Sequence, residues 1–161
     1  MARLKTLAIS IASGRVGYAL FDGNQLIDWG IASRATKTST ALVGFVQELI
    51  NQLKPDVFVS LKPDAEARKG IRTRKLIKAI AELGEHNYVL NVTVERPRHY
   101  ANGFEEATAI TKRYPELLGY KSARRRRLFD PELRGTVLFE AVLLAEHVIF
   151  GGPETLAAAL G

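Results

Sequence analysis

No cysteine occurs among the 161 residues. That absence removes disulfides, cysteine–zinc sites, iron–sulfur clusters and thiol nucleophiles together. It fits a reducing, cytoplasmic setting. Histidine is scarce, and His86, His99 and His147 fall into neither an HExxH nor an HxH spacing. No Gly-x-Ser-x-Gly elbow is present for a serine hydrolase. Gly14-Arg15-Val16-Gly17 lacks the Lys-Ser/Thr that completes a phosphate-binding loop. No stretch approaches the roughly 20 apolar residues that span a bilayer, so no membrane partner is expected. Arg3 and Lys5 ahead of TLAISIAS imitate a signal peptide. The apolar run is short, however, carries two serines and flows into another strand-like segment, so it reads as a first strand.

Acidic residues are also in deficit: 17 Asp+Glu stand against 23 Lys+Arg, a formal charge of +6. The surplus is local. Residues 68–78 (RKGIRTRKLIK) hold six bases and no acid, and residues 112–134 hold eight bases against Glu116, Asp130 and Glu132. These two blocks supply +11, and the rest of the chain sums to −5. Such clustering favours a polyanionic partner, nucleic acid before anionic lipid. With 47% apolar residues the chain is an ordinary globular one. We expect a single domain over residues 1–152 and a short alanine-rich tail over 153–161.

Hydrophobic periodicity divides the chain. Residues 4–11, 16–22 and 25–32 read as three strands. Gly14 breaks the first pair and Asp22-Gly23-Asn24 the second, both with residues that tolerate positive φ. Leu42, Val46, Leu49 and Ile50 then fall on one helical stripe, capped by Thr38, Ser39 or Thr40 and ended by Lys54-Pro55. A buried strand follows at 56–61, then a helix at 65–83 with Ile71 and Leu76 inward, and a fifth strand at 88–94. Asn102 caps a helix of about 103–114, with Glu105 and Glu106 in its first turn. A last helix runs from near Leu133 to Phe150, where Gly151-Gly152-Pro153 stops it. Three antiparallel strands followed by strand–helix alternation imply a mixed five-stranded sheet with helices on both faces. That order is shared by the ribonuclease H-like fold.

Residues 9–30 (ISIASGRVGYALFDGNQLIDWG) resemble the opening of the RuvC-type Holliday-junction resolvases, in the strand and tight loop of Ile9 to Gly14, in Gly17-Tyr18, and in Leu26 to Gly30. Pro55-Asp56-Val57-Phe58-Val59 resembles the family's fourth strand. Phe139-Glu140-Ala141-Val142, followed by Leu144-Ala145, resembles its last helix. The resemblance implies a metal-dependent phosphodiester site, with carboxylates on the first strand, at the end of the fourth strand and on the last helix holding two divalent ions. Magnesium and manganese ask for such hard oxygen ligands. The matching positions here are Ser10, Leu61 (or Ser60), Val137 and Glu140, so one acid survives where the family has several. On a helical wheel Glu140 lies about 60° from the centre of the apolar face made by Val137, Ala141, Leu144 and Val148, while Glu146 points nearly opposite. Asp64, Glu66 and Glu95 are the acids that could supply displaced ligands.

The expectation is therefore a catalytically degenerate RuvC-like domain, with no cofactor unless the nuclease alternative below holds. It would bind nucleic acid, DNA before RNA, through three basic regions: Arg68, Lys69, Arg72, Arg74 and Lys75 at a helix start; Arg96 and Arg98 after the fifth strand; and Arg124, Arg125, Arg126 and Arg127 before the last helix. A homodimer is implied by the resemblance alone. Two other readings stand beside it. One is an active nuclease with relocated carboxylates and Mg or Mn. The other is an assembly or scaffold subunit whose arginines contact an acidic protein.

Overall fold

A computed structural model of the chain describes residues 3–63, 69–121 and 135–160, with residues 152–160 by backbone alone. Strands β1 (Lys5–Ala12), β2 (Arg15–Asp22) and β3 (Gln25–Ala32) form the expected antiparallel meander. Both hairpin loops turn on a glycine in the left-handed region, Gly14 at φ 77° and Gly23 at φ 60°. Helix α1 (Ser39–Leu53) is capped by Thr38, whose side chain accepts a 3.0 Å bond from the Ala41 N–H, and it ends on Lys54 in the left-handed conformation before Pro55. Strand β4 (Val57–Leu61), helix α2 (Ile71–Glu85), strand β5 (Leu90–Val94), helix α3 (Gly103–Arg113) and helix α4 (Thr136–Leu160) follow.

The sheet order is β3-β2-β1-β4-β5, with β4 and β5 parallel to β1. Asp56, of the Pro-Asp pair that opens β4, accepts a 2.9 Å bond from the Lys5 N–H and returns its own N–H to the Lys5 carbonyl, pinning the two strand starts together. The register pairs Leu7 with Phe58 and Ala8 with Val59. Side chains alternate across a sheet, so Ser10 shares a face with Ala8, Val59 and Leu61, and Phe58 and Ser60 face the other way. Helix α2 covers the Phe58 face: a Cβ on Gly84 would strike the Phe58 ring and Asn91. Helix α4 covers the Ser10 face. There Gly17, the partner of Ser10 across β1 and β2, lies so close to the Val137 carbonyl that a Cβ would sit 2.7 Å from its oxygen. The core lies on both faces, from Leu7, Phe58, Ile77 and Ile80 to Ala8, Val59, Leu138 and Leu144.

Four expectations change. Helix α2 begins at Ile71, not 65, because Gly70 holds extended backbone as its N-cap; Ile71 is consequently exposed at 66% instead of inward. Strand β5 begins at Leu90 instead of 88, with Tyr88 fully exposed before it. A 3₁₀ helix, Pro115–Tyr120, follows α3 in a stretch to which the periodicity assigns no element. Helix α4 continues through Gly151-Gly152-Pro153 to Leu160: Pro153 forgoes one backbone hydrogen bond without ending the helix. Among the described residues no helix is long and apolar enough to cross a membrane.

Candidate functional site

Glu140 is 4% exposed, and the wheel places it correctly on the sheet side of α4. The close seat of α4 on Gly17 brings it over the end of β1, where the Ser10 hydroxyl donates a 2.5 Å bond to its Oε1. Two cations meet the same carboxylate. Lys69, just ahead of α2, donates from Nζ to Oε1 at 3.0 Å and to the Ile11 carbonyl at 2.7 Å. Arg96, two residues past β5, donates from Nε to Oε2 at 2.7 Å. The other arm of its guanidinium reaches Glu106 on α3, also at 2.7 Å. Glu106 too is 4% exposed. Two buried carboxylates are thus matched by two cations.

One guanidinium is shared by two carboxylates. Burial works against the Arg96 charge, but Glu106 and Glu140 outweigh it and hold its pKa above the usual value. Burial pushes the Glu106 carboxyl up, and Arg96 opposes this without cancelling it. With its folded pKa raised, Glu106 binds its proton more tightly in the folded state. Its contribution to stability is therefore greatest in acid and declines as pH rises from the ordinary carboxylate range through its raised value. The stability of the parent chain relative to Glu106→Gln should accordingly increase as pH is lowered through that window. A difference between their denaturation free energies that does not vary with pH would contradict the assignment.

A second ion pair holds α3 against α4. Arg113 grips Glu146 through both guanidinium arms at 2.9 and 2.6 Å, and the Tyr114 hydroxyl donates to Glu146 at 2.7 Å. Burial, followed by that bond, pushes the Tyr114 phenol well above its usual range. These partners cover Glu146, leaving 12% of its side chain exposed. This clamp sets the spacing of the helices that carry Glu106 and Glu140.

Leu61 lies buried on the Ser10 face, and Ser60 is buried on the opposite face, toward α2. Val137, one turn before Glu140, is buried against Gly17. Arg72, Arg74 and Lys75 are exposed on the first turns of α2, with Arg72 donating to the Lys37 carbonyl. Arg98 is exposed beyond β5. Lys69 and Arg96 turn inward to Glu140 instead of lining the surface beside them. Glu95 is exposed. Arg68, Arg124, Arg125, Arg126 and Arg127, with Asp64 and Glu66, lie outside the described residues. Glu106 is the residue that sequence reasoning missed. Its place in the first turn of a helix explained it too easily, although it lies one helical turn before the buried Ile110.

Chemically, the four positions singled out by the resemblance, Ser10, Leu61, Val137 and Glu140, offer one carboxylate, one hydroxyl and two apolar side chains. Among the described residues no three His, Asp or Glu side chains gather in a group able to hold a metal. Among the described residues this donor set does not fit a two-metal centre.

By sequence, no family model and no curated protein matches the chain. By structure, the likeness is extensive. The chain superposes on the fowlpox virus resolvase in complex with Holliday-junction DNA with a TM-score of 0.60, covering 92% of this chain and 98% of that one at 12% identity. The fold is that of the RuvC-type Holliday-junction resolvases. RuvC of Thermus thermophilus bound to a Holliday-junction substrate gives a TM-score of 0.61 at 12% identity, covering 94% of this chain and 98% of that one. A further structure of Thermus thermophilus RuvC gives 0.57 at 14% identity with the same coverage. The RuvC-like sheet and helices therefore persist at an identity where side chains must be judged one at a time.

Proposed function

We propose that this chain is a non-catalytic RuvC-like domain that binds nucleic acid through basic residues at the C-terminal ends of its parallel strands. The carrying observation is the state of Glu140. Of the positions the resemblance points to, it is the one acid, and its two oxygens are engaged by Lys69 and Arg96. The exposed Arg72, Arg74 and Lys75 follow the end of β4, and Arg98 follows the end of β5, so a phosphate backbone crossing that end of the sheet meets both groups. Two solved structures of the same fold are complexes with Holliday-junction DNA, which supports DNA over RNA as the polyanion. A homodimer and a cytoplasmic location belong to the same reading.

The test is a titration of duplex, branched and single-stranded DNA, and of RNA, at two salt concentrations. Affinity should fall steeply with salt, with a log–log slope of about −0.9 per duplex phosphate contacted. Arg72→Ala and Arg98→Ala should each weaken binding to all sequences alike and reduce that slope by about 1. No binding at low salt would refute the proposal and favour an acidic protein partner. Cleavage of branched DNA in Mn²⁺, abolished by Glu140→Gln under conditions where that variant is folded, would refute its non-catalytic part.

A further inference from the structure

Lys69 and Arg96 occupy an unusual environment for basic residues. The ammonium of Lys69 lies between a carboxylate oxygen of Glu140 and the backbone carbonyl oxygen of Ile11, at 3.0 and 2.7 Å. Those are the donors that a hard cation selects: one charged oxygen and one neutral oxygen at the end of a buried strand. The guanidinium of Arg96 bridges Glu140 and Glu106 at 2.7 Å to each, as a bridging ion joins two carboxylates. Only 18% of the Lys69 side chain and 15% of the Arg96 side chain are exposed. Buried carboxylates require counter-charge from some source, and here two cations from the chain itself supply it. The charge of the group is zero.

We infer that Lys69 and Arg96 are tethered replacements for divalent cations, making the buried carboxylates of this fold independent of metal. The inference rests on the non-catalytic reading of the site and deepens it. A divalent ion would have to displace the Lys69 ammonium and would then leave an excess of positive charge. Reversing the replacement should restore a demand for metal. Ser10→Asp combined with Lys69→Met leaves three carboxylates facing Arg96 alone, a net charge of −2 that one divalent ion matches.

The experiment uses the full chain, with MnCl₂ and MgCl₂ as the probes. The parent protein should leave the electron paramagnetic resonance signal of free Mn²⁺ unchanged at stoichiometric concentration. Its thermal midpoint should be the same in EDTA, Mg²⁺ and Mn²⁺. The Ser10→Asp/Lys69→Met variant should melt several degrees lower in EDTA, recover most of that loss in Mn²⁺, and remove the free-Mn²⁺ signal with about one ion per chain, because a ligand bound only by the folded state raises its stability. If the variant does not fold without metal, refolding in Mn²⁺ is the readout: recovery supports the inference, and aggregation with or without Mn²⁺ overturns it. Tight Mn²⁺ binding by the parent protein overturns it too, as does a folded double variant indifferent to metal. None of these readouts involves nucleic acid. A failure of DNA binding would therefore remove the nucleic-acid part of the proposed function while leaving the cation replacement standing, and Mn²⁺ binding by the parent would overturn the cation replacement while leaving the nucleic-acid part standing.

Discussion

Glu140→Gln is expected to lower the stability of the fold by about 3 kcal/mol. Breaking a buried ion pair by removing one partner costs roughly 3–5 kcal/mol, chiefly because the other charge stays behind in a poor solvent. Two charges are left here, Lys69 and Arg96. Arg96 retains Glu106, and both cations keep a small hydrated fraction, which places the cost at the lower end. For a chain of this length that corresponds to a fall in thermal midpoint of roughly 6–12 °C. The amide still accepts a bond from the Ser10 hydroxyl, so the loss reports charge and not shape. The control is to remove the whole group. Glu140→Leu, Lys69→Met, Arg96→Met and Glu106→Leu together should recover most of the lost stability, since an apolar set of similar volume is often as stable as a buried ionic one. A combined variant less stable than Glu140→Gln would mean that the cluster stabilises the fold beyond satisfying its own charges.

The sheet was legible because each of its signals is local. Asp22-Gly23-Asn24 forces a two-residue hairpin loop, and a register pairing Asp22 with Gln25 follows from it. Thr38 and Asn102 both cap the helices their spacing announces. Glu140 was legible for the same reason: its position depends only on the wheel of its own helix. The partners of Glu140 were not. Lys69 lies 71 residues from it and Arg96 lies 44, and no spacing rule reports a contact at such a distance. Bases in a basic run are ordinarily solvated, so Lys69 read as surface alongside Arg72 and Arg74. The structure separates them by backbone: Lys69 precedes the Gly70 cap and turns under the sheet end, while Arg72 and Arg74 sit on the helix that follows. The run-on of α4 past Gly151-Gly152-Pro153 has a similar origin. These residues weaken a helix without forbidding it, and they decide its end only when nothing else favours continuation.

Gly17→Ala is expected to be the most damaging single-methyl change on the sheet. At Gly30, the other glycine within a strand, an added Cβ meets the Tyr18 side chain. At Gly17 it meets the Val137 carbonyl at 2.7 Å and the Leu138 nitrogen at 2.9 Å, both backbone atoms in the first turn of α4. The helix must retreat as a body, and overpacking of that kind costs about 1–3 kcal/mol. The displacement reaches further than the clash. Ser10 is the residue opposite Gly17, and Glu140 is one turn along from Val137, so the retreat draws the Glu140 carboxylate away from the Ser10 hydroxyl. A hydrogen bond to a charged group is worth roughly 1.5–3 kcal/mol and is sensitive to distance. With part of that bond lost, the two effects together should lower the thermal midpoint by roughly 3–18 °C. A double-mutant cycle isolates the second effect. In a Ser10→Ala background there is no hydroxyl to lose, and Gly17→Ala should cost about 0.5–1.5 kcal/mol less than in the parent. Additive costs would show that α4 accommodates the methyl without moving Glu140, and that the glycine serves helix packing alone.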